Sequence, residues 1–525
     1  MGNRDTKAIL EYHEATKHSE WSVRTSRHVL DWSSQPLPFK IYRALDPIPL
    51  TRSFPEPDIP TLAALSRSSE PASAAGGERV PDLATLSRVL LLSAGITKRT
   101  RHPGGEIYFR AFPNTGALYH VDLYVVTAGL LELPAGVYHF GPHDFALRRL
   151  RDGDWRGVLL EASGQNPDLA RAPVIVASAS TYWRNSWKYQ ARAWRHCFWD
   201  AGTLHANLLA VAATEGLEPR VVLGFADHRV ERLLGLDPRR EGAIALVALG
   251  RSLRPPPQVR EVPELRLETE PLSGRETDFP EIRAAQAASS LADGAEAAAW
   301  RGTAPARDEP APAAPCTPLR PKPEEPASRA PLDRVIRRRG STRAFDGERA
   351  LSFAELSTAL DVATRGVPGD WLDPPGATLL DLFLIVNAVE GLAAGAYQYR
   401  PAERSLERLR EGRFRDTAGR LALGQALAAD AAANVYHLAD LSRVLDRFGN
   451  RGYRAAQLEG GITGGRLYLA AYAQRFGATG LTFFDDEVTQ FFSPRAAGKS
   501  PMFLVALGHP DRVALGLARP TVSPA

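Results

Sequence analysis

The chain has 525 residues, 44% of them hydrophobic and 24% charged, with a formal net charge of +4 and two cysteines. That length predicts two or more domains, and the near-balanced charge, without a long basic tract, argues against nucleic-acid binding. Cys197 and Cys316 are too few for a disulfide framework or a cysteine-rich metal site; no uncharged apolar run reaches the roughly 18 residues of a membrane span, and no apolar signal-type stretch follows Met1, so no membrane contact and a cytoplasmic location are expected.

Residues 1–80 read as an N-terminal extension: Glu11 to Ser19 is helical in character, Pro36 to Lys40 extended, and Pro55 to Gly77 a loose Pro/Ser/Ala/Glu-rich connection. Order begins at Pro81, where Leu83, Leu86, Val89 and Leu90 fall at helical spacing. Arg110 to Gly116 is a turn-forming loop, Val121 to Val126 a strand, Gly136 to Gly141 hairpin-like, and Pro173 to Ser178 a buried strand. Tyr182 to Gly202 concentrates four of the nine tryptophans, the pair Lys188-Tyr189, and Arg192-x-Trp194-Arg195 leading into an apolar helix that runs to about Glu215. Strands follow at Arg220 to Leu223 and Ala243 to Leu249. Helices interleaved with strands predict an α+β class with a covered sheet. Residues 252–331, rich in Pro, Ala and Glu, read as an extended, mobile linker without a core. A second ordered region begins at Leu332.

Self-similarity organises the whole. At an offset of 259 residues, Asp122 falls on Asp381, Gly136 on Gly395, Tyr138 on Tyr397, Leu147 on Leu406 and Gly153 on Gly412. Arg192-Ala-Trp-Arg195 then lies on Arg451-Gly-Tyr-Arg454, and Asp200 on Glu459. At 258, Asp227 meets Asp485 and Leu246-Val-Ala-Leu-Gly250 meets Leu504-Val-Ala-Leu-Gly508. Two tandem copies, 81–251 and 332–515, are therefore expected to pack on one another as an intrachain pseudo-dimer.

Three motifs carry a family resemblance: Arg339-Gly-Ser-Thr-Arg343-Ala-Phe345, Arg110-Ala-Phe-Pro113-Asn-Thr-Gly116-Ala-Leu-Tyr119, and Lys188-Tyr189. They resemble, respectively, the opening Arg-x-Ser-x-Arg flavin motif, the Arg-x-x-Pro-Ser-x-Gly-Ala loop (here with Asn114 for serine) and the Lys-Tyr pair of the nitroreductase superfamily, in its branch of azoline dehydrogenases often called SagB/ThcOx-type. The resemblance covers about residues 80 to 250 and 332 to 510, and Tyr12 to Ser19 is similar to the opening of SagB-type proteins. It implies a nitroreductase-like α+β fold with FMN at the interface of the copies. Arg339, Ser341 and Arg343 would hold the phosphate, with Arg512 reaching towards it; Pro113, Asn114, Thr115 and Gly116 would offer groups to the ring edge, and Gly480, Leu481 and Thr482 would pass the isoalloxazine. Lys188 and Tyr189 would be catalytic, Tyr189 as proton acceptor with its pKa lowered by Lys188, or Lys188 itself. Arg192 or Lys188 would stabilise charge on the reduced flavin.

The motifs are split between the copies. Copy one has no arginine pair near Ser69 to Ala75, whereas copy two has Arg447-Phe448 for Lys188-Tyr189 and Asp373-Pro-Pro-Gly376 for the Pro113 loop. What is retained fits a single site, so one FMN per chain is expected. The implied reaction is dehydrogenation of an azoline or related peptide-derived substrate, beside possible partner biosynthetic enzymes. The alternatives are an NAD(P)H-dependent nitro or quinone reductase, in which NAD(P)H is a transient reductant, and a non-catalytic scaffold. His196 and His205 read as core or interface residues rather than metal ligands, and Asp485-Asp486-Glu487 as acids complementing a helix dipole.

Overall fold

The computed structural model describes residues 2–70, 77–102, 105–307, 309–323 and 329–511. Arg512 lies outside the described residues.

Each copy is built on a seven-stranded antiparallel sheet. In copy one the strands are β1 (Pro47–Pro49), β2 (Val121–Thr127), β3 (Gly136–Gly141), β4 (Ala146–Asp152), β5 (Val174–Thr181), β6 (Arg220–Val222) and β7 (Glu241–Leu249), in the order β1-β4-β3-β2-β5-β7-β6. In copy two they are β8 (Cys316–Pro318), β9 (Leu380–Val386), β10 (Gly395–Arg400), β11 (Ser405–Glu411), β12 (Ala433–Ala439), β13 (Gly477–Gly480) and β14 (Ser500–Gly508), in the equivalent order β8-β11-β10-β9-β12-β14-β13. The central strands β2, β5 and β7 are buried at every residue, which is why they lack an exposed polar face, and the polar Asp122, Ser178 and Glu241 within them are buried too. The α+β duplication expected from the repeat is the fold.

The copies join along their long helices, Ala193–Thr214 and Arg451–Ala473, which are buried along nearly all their length. Gly202 lies against Gly461 and Ala206 against Gly465, each residue against its own repeat equivalent, which marks a pseudo-twofold axis. A Cβ added to Gly202 would stand 2.6 Å from the Gly461 Cα, so the close approach requires glycine. Pro60 and Pro331, which precede equivalent helices (Thr61–Arg67 and Leu332–Arg338), also bridge to each other.

Two buried ion clusters tie the halves reciprocally. Asp485 of copy two receives Arg192 (3.0 Å) and Arg195 (2.6 Å) of copy one, and Asp227 of copy one receives Arg451 (2.5 Å) and Arg454 (2.6 Å) of copy two. Asp485 does begin a helix, Asp485–Phe492, but its carboxylate serves these arginines.

The expected mobile linker is corrected. Within 252–331 lie two helices, Pro280–Ala288 and Gly294–Trp300, with Ile282, Ala285, Leu291 and Trp300 buried. These helices repeat Lys7–Ala15 and Glu20–Thr25 at the N-terminus. Arg195 Nε donates to Thr16 Oγ1 and Nη2 to His13 O; Arg454 Nε donates to Ser289 Oγ and Nη2 to Gln286 O. The duplicated unit thus begins well before residue 81 in copy one and before 332 in copy two. Alanine-rich, proline-flanked sequence conceals this because a short helix needs only a few apolar anchors once neighbouring chain covers it.

Candidate functional site

A cavity of about 1230 Å³ opens between the copies on one side of the pseudo-twofold axis. Copy one contributes Pro113 to Ala117, Lys188 to Arg192, His196, Trp199, Asp200 and Thr203; copy two contributes Ser341, Arg343, Tyr468, Thr479 to Thr482 and Phe503. The N-terminal segment closes it with Thr16, Lys17, His18, Ser22, Val23 and Ser26, and Leu423 and Gln425 complete the rim.

The Pro113 loop is held from the long helix of its own copy. Asp200 accepts from the Thr115 N–H at 3.0 Å and from Thr115 Oγ1 at 2.9 Å, while its other side meets His120 Nε2 at 2.8 Å. Thr203 Oγ1 donates to Pro113 O at 2.6 Å. Gly116 sits at φ +65°, and a Cβ there would stand 2.8 Å from the Tyr189 hydroxyl, so glycine is needed both for the turn and for the tyrosine beside it. Asn114 Oδ1 accepts from the Tyr119 N–H at 2.7 Å, leaving its buried Nδ2 without a partner.

Lys188 and Tyr189 end the short helix Tyr182–Tyr189, with Lys188 Nζ 5.4 Å from the Tyr189 ring centre. The Tyr189 ring stands edge-on to His196, which tilts against Trp199. The expected depression of the Tyr189 pKa is overturned: burial and then the Asp200 carboxylate push it up, and Arg343 of copy two opposes them only in part. Tyr189 is therefore a neutral hydroxyl at ordinary pH. His196 is held well below the usual imidazole range by burial and by Arg192; its Nδ1 lies 2.7 Å from Asn185 Oδ1, so it is a neutral wall of the cavity.

Arg192 donates through Nη1 to Thr16 O and Asp485, while its Nε and Nη2 are buried without partners in the cavity wall. Burial lowers its pKa to about 10, and it remains cationic at neutral pH. Across the cavity, Arg343 is exposed on the wall, Ser341 Oγ lies 3.3 Å from Tyr468 Oη, and the buried Thr482 Oγ1 has no partner. Gly480 donates its N–H to Tyr468, and Leu481 N–H bonds Leu504 O.

Arg339 is not on this wall. It is buried behind it, with Nε directed to Ala111 O and Nη2 to Arg110 O, both at 3.3 Å, and Nη1 to Gly340 O at 3.1 Å. Expected beside Ser341 and Arg343, it instead clasps the copy-two motif to the chain leading into the copy-one loop.

The symmetry-related space is filled. Trp300, fully buried, packs against Phe448, the repeat of Tyr189, and the Asp370 carboxylate accepts the Leu223 and Gly224 N–H groups at 2.9 and 3.1 Å. Those two residues repeat Leu481 and Thr482 of the open side.

Sequence reasoning missed Asp200 and Thr203 as anchors of the loop, and the N-terminal wall Thr16 to Ser26. For the wall, the resemblance of Tyr12 to Ser19 to SagB-type openings was a partial signal; for the anchors it was the repeat pairing of Asp200 with Glu459, which accepts from Thr378 and from the Leu379 N–H in the same manner. No group of three or more His, Cys, Asp or Glu side chains able to hold a metal occurs among the described residues. A flavin mononucleotide fits what is present: orphaned buried donors on Asn114, Arg192 and Thr482, and a guanidinium and a hydroxyl of Arg343 and Ser341 for a phosphate.

Comparison with known proteins bears on this architecture. The model of the nitroreductase family matches residues 78–251 and again 336–509. A crystal structure described as a nitroreductase of Anabaena variabilis is 28% identical and superposes with a TM-score of 0.77 over 96% of this chain and 99% of that one. Among curated relatives, a nitroreductase-type protein of Methanocaldococcus jannaschii is 26% identical over 33% of this chain and 81% of its own length. The trifolitoxin-processing protein TfxB of Rhizobium leguminosarum bv. trifolii is 28% identical over 38% of this chain and 57% of its own. The microcin B17-processing protein McbC of Escherichia coli is 26% identical over 25% of this chain, which spans half of that relative's length. Among the described residues no helix is long and apolar enough to cross a membrane.

Proposed function

The chain belongs to the nitroreductase family of oxidoreductases, and from that premise we propose that it is an FMN-dependent dehydrogenase of an azoline or related heterocycle carried on a peptide, with one FMN per chain. The observation that carries this reading is the single cavity in which the copy-one loop, Lys188-Tyr189 and the copy-two Ser341/Arg343 motif face one another. Its likeness in sequence to two peptide-processing proteins supports a peptide-derived substrate.

FMN, when bound, supplies a two-electron acceptor for hydride. The remaining work falls to the chain. Arg343 and Ser341 bind the phosphate, the guanidinium through charge-assisted hydrogen bonds. Arg339 orients that motif by clasping the Arg110 and Ala111 carbonyls. Asp200 and Thr203 fix the Pro113 to Gly116 loop, whose Asn114 Nδ2 is free to donate. Arg192 Nη2 offers a cationic donor inside a water-poor wall, where charge developing during the reaction is stabilised most. The Lys188 amine accepts the proton that leaves the substrate ring carbon, and the Tyr189 hydroxyl donates a hydrogen bond without ionising. Partner biosynthetic enzymes that deliver the peptide belong to the same proposal.

Single-turnover oxidation of a peptidyl thiazoline, followed by absorbance, tests this: the wild type converts it, and Lys188→Met does so about 10²-fold or more slower. A second reading, an NAD(P)H-dependent reductase, draws on the relatives described as nitroreductases. Anaerobic mixing with NADPH separates the two, because fast bleaching of the flavin absorbance supports the reductase and its absence the dehydrogenase.

A further inference from the structure

The filled half of the molecule is an internal record of what the open half can hold. The short helices Glu20–Thr25 and Gly294–Trp300 are repeats: Ser19 caps the first by accepting from Ser22 N–H, and Asp293 caps the second by accepting from Glu296 N–H. Counted from those caps, Ser26 occupies the place of Trp300. The Trp300 indole is buried against Phe448, with ring centres 5.1 Å apart and its Nε1 donating to Phe448 O at 2.8 Å. Phe448 is the repeat of Tyr189. On the open side Ser26 and Tyr189 line the cavity together, and no residue of the Glu20–Thr25 helix is buried.

We propose that the part of the cavity beside Tyr189, where the other half holds the Trp300 indole, is a substrate subsite for a planar ring of about indole size, walled by Ser26 and Val23. The proposal deepens the dehydrogenase reading and rests on it for the word substrate. The physical case is complementarity already realised once in the chain. The same backbone frame holds an aromatic ring tilted at 48° against the residue at this position. The small Ser26 side chain leaves that volume open. The neutral Tyr189 hydroxyl and the partnerless Arg192 Nη2 add polar groups to the same cavity for a heteroatom on the ring. Val23, 42% exposed, places the subsite at the mouth, where a ring attached to a longer chain enters without burying that chain.

The test uses the full-length protein and indole as probe. Isothermal titration of wild type with indole is expected to give saturable binding, weakened at least tenfold in Ser26→Trp and in Val23→Trp, with the purified flavin content of both variants unchanged. Saturated cyclohexylmethanol is expected to bind the wild type at least tenfold more weakly than indole. Val23→Trp, at a partly exposed position, keeps the test decisive if Ser26→Trp fails to reach the wild-type melting temperature. Absence of indole binding to wild type, or wild-type affinity in a folded variant, overturns the subsite. A colourless protein that still binds indole in the expected pattern would overturn the dehydrogenase reading and leave the subsite standing.

Discussion

Lys188 and Tyr189 are neighbours in sequence, and burial gives them different work. The phenol is pushed up by desolvation and by Asp200, so it cannot serve as a base near neutrality. Tyr189→Phe is accordingly expected to lower turnover by less than about fivefold, whereas Lys188→Met should lower it by about 10² to 10⁴-fold, the usual contribution of a positioned acid or base. Flavin content, measured alongside, should be unchanged in both. The pH–rate profile of the wild type should show no limb from the Tyr189 phenol below about pH 10, the ordinary phenol value, because a raised pKa moves its ionisation further up. The pair itself was legible in the sequence. Its protonation was not, because the adjacent lysine is visible in a linear reading while the burial of the phenol and the Asp200 carboxylate, one helix further on, are properties of the fold. Arg339 teaches the same lesson: its motif marks the site, but three carbonyls hold it behind the wall.

Between elements, the reciprocal ion clusters and the two short helix pairs do the joining. Asp485 sits fully buried between Arg192 and Arg195. Burial raises its carboxyl pKa, but the two guanidinium groups outweigh that and hold it well below the usual range. Its folded pKa is thus depressed, so its stabilisation is fully present above the unfolded value of about 3.9 and is lost only as pH falls through the lower folded value. Asp485→Asn should cost about 3–5 kcal/mol in urea unfolding at pH 7, since two buried cations lose their counter-charge, and the difference from wild type should shrink below about pH 3.9. Trp300→Ala should cost a further independent amount of about 3–5 kcal/mol, where a mobile linker would give no change. The helix Gly294–Trp300 escaped the sequence because Gly-Ala-Glu-Ala-Ala-Ala-Trp offers one large anchor, and because Arg454 meets its companion Pro280–Ala288 and the serine after it through a backbone carbonyl and one hydroxyl. Backbone acceptors leave no residue signature.

Across the whole molecule, duplication has been followed by divergence of two once-equivalent interface sites. The repeat offsets announced the duplication, because strand residues and the arginine pairs keep their spacing without gaps. They also pointed to the asymmetry, since the loop and the Lys-Tyr pair survive in one copy and the Ser341/Arg343 motif in the other. What the sequence could not reveal is how the second site is filled: Trp300 packs into it against Phe448, and Asp370, its pKa raised to about 6 by burial, holds the N–H groups that repeat those of Leu481 and Thr482. The open site is the one that orphaned donors and a cavity of about 1230 Å³ equip for a ligand. The most direct test is the flavin stoichiometry of the purified chain, by release of the cofactor and its absorbance against a protein concentration from amino-acid analysis. The account predicts one FMN per 525-residue chain, falling to near zero in Arg343→Ala combined with Ser341→Ala. Two FMN per chain, or a stoichiometry unaffected by that double substitution, would contradict it.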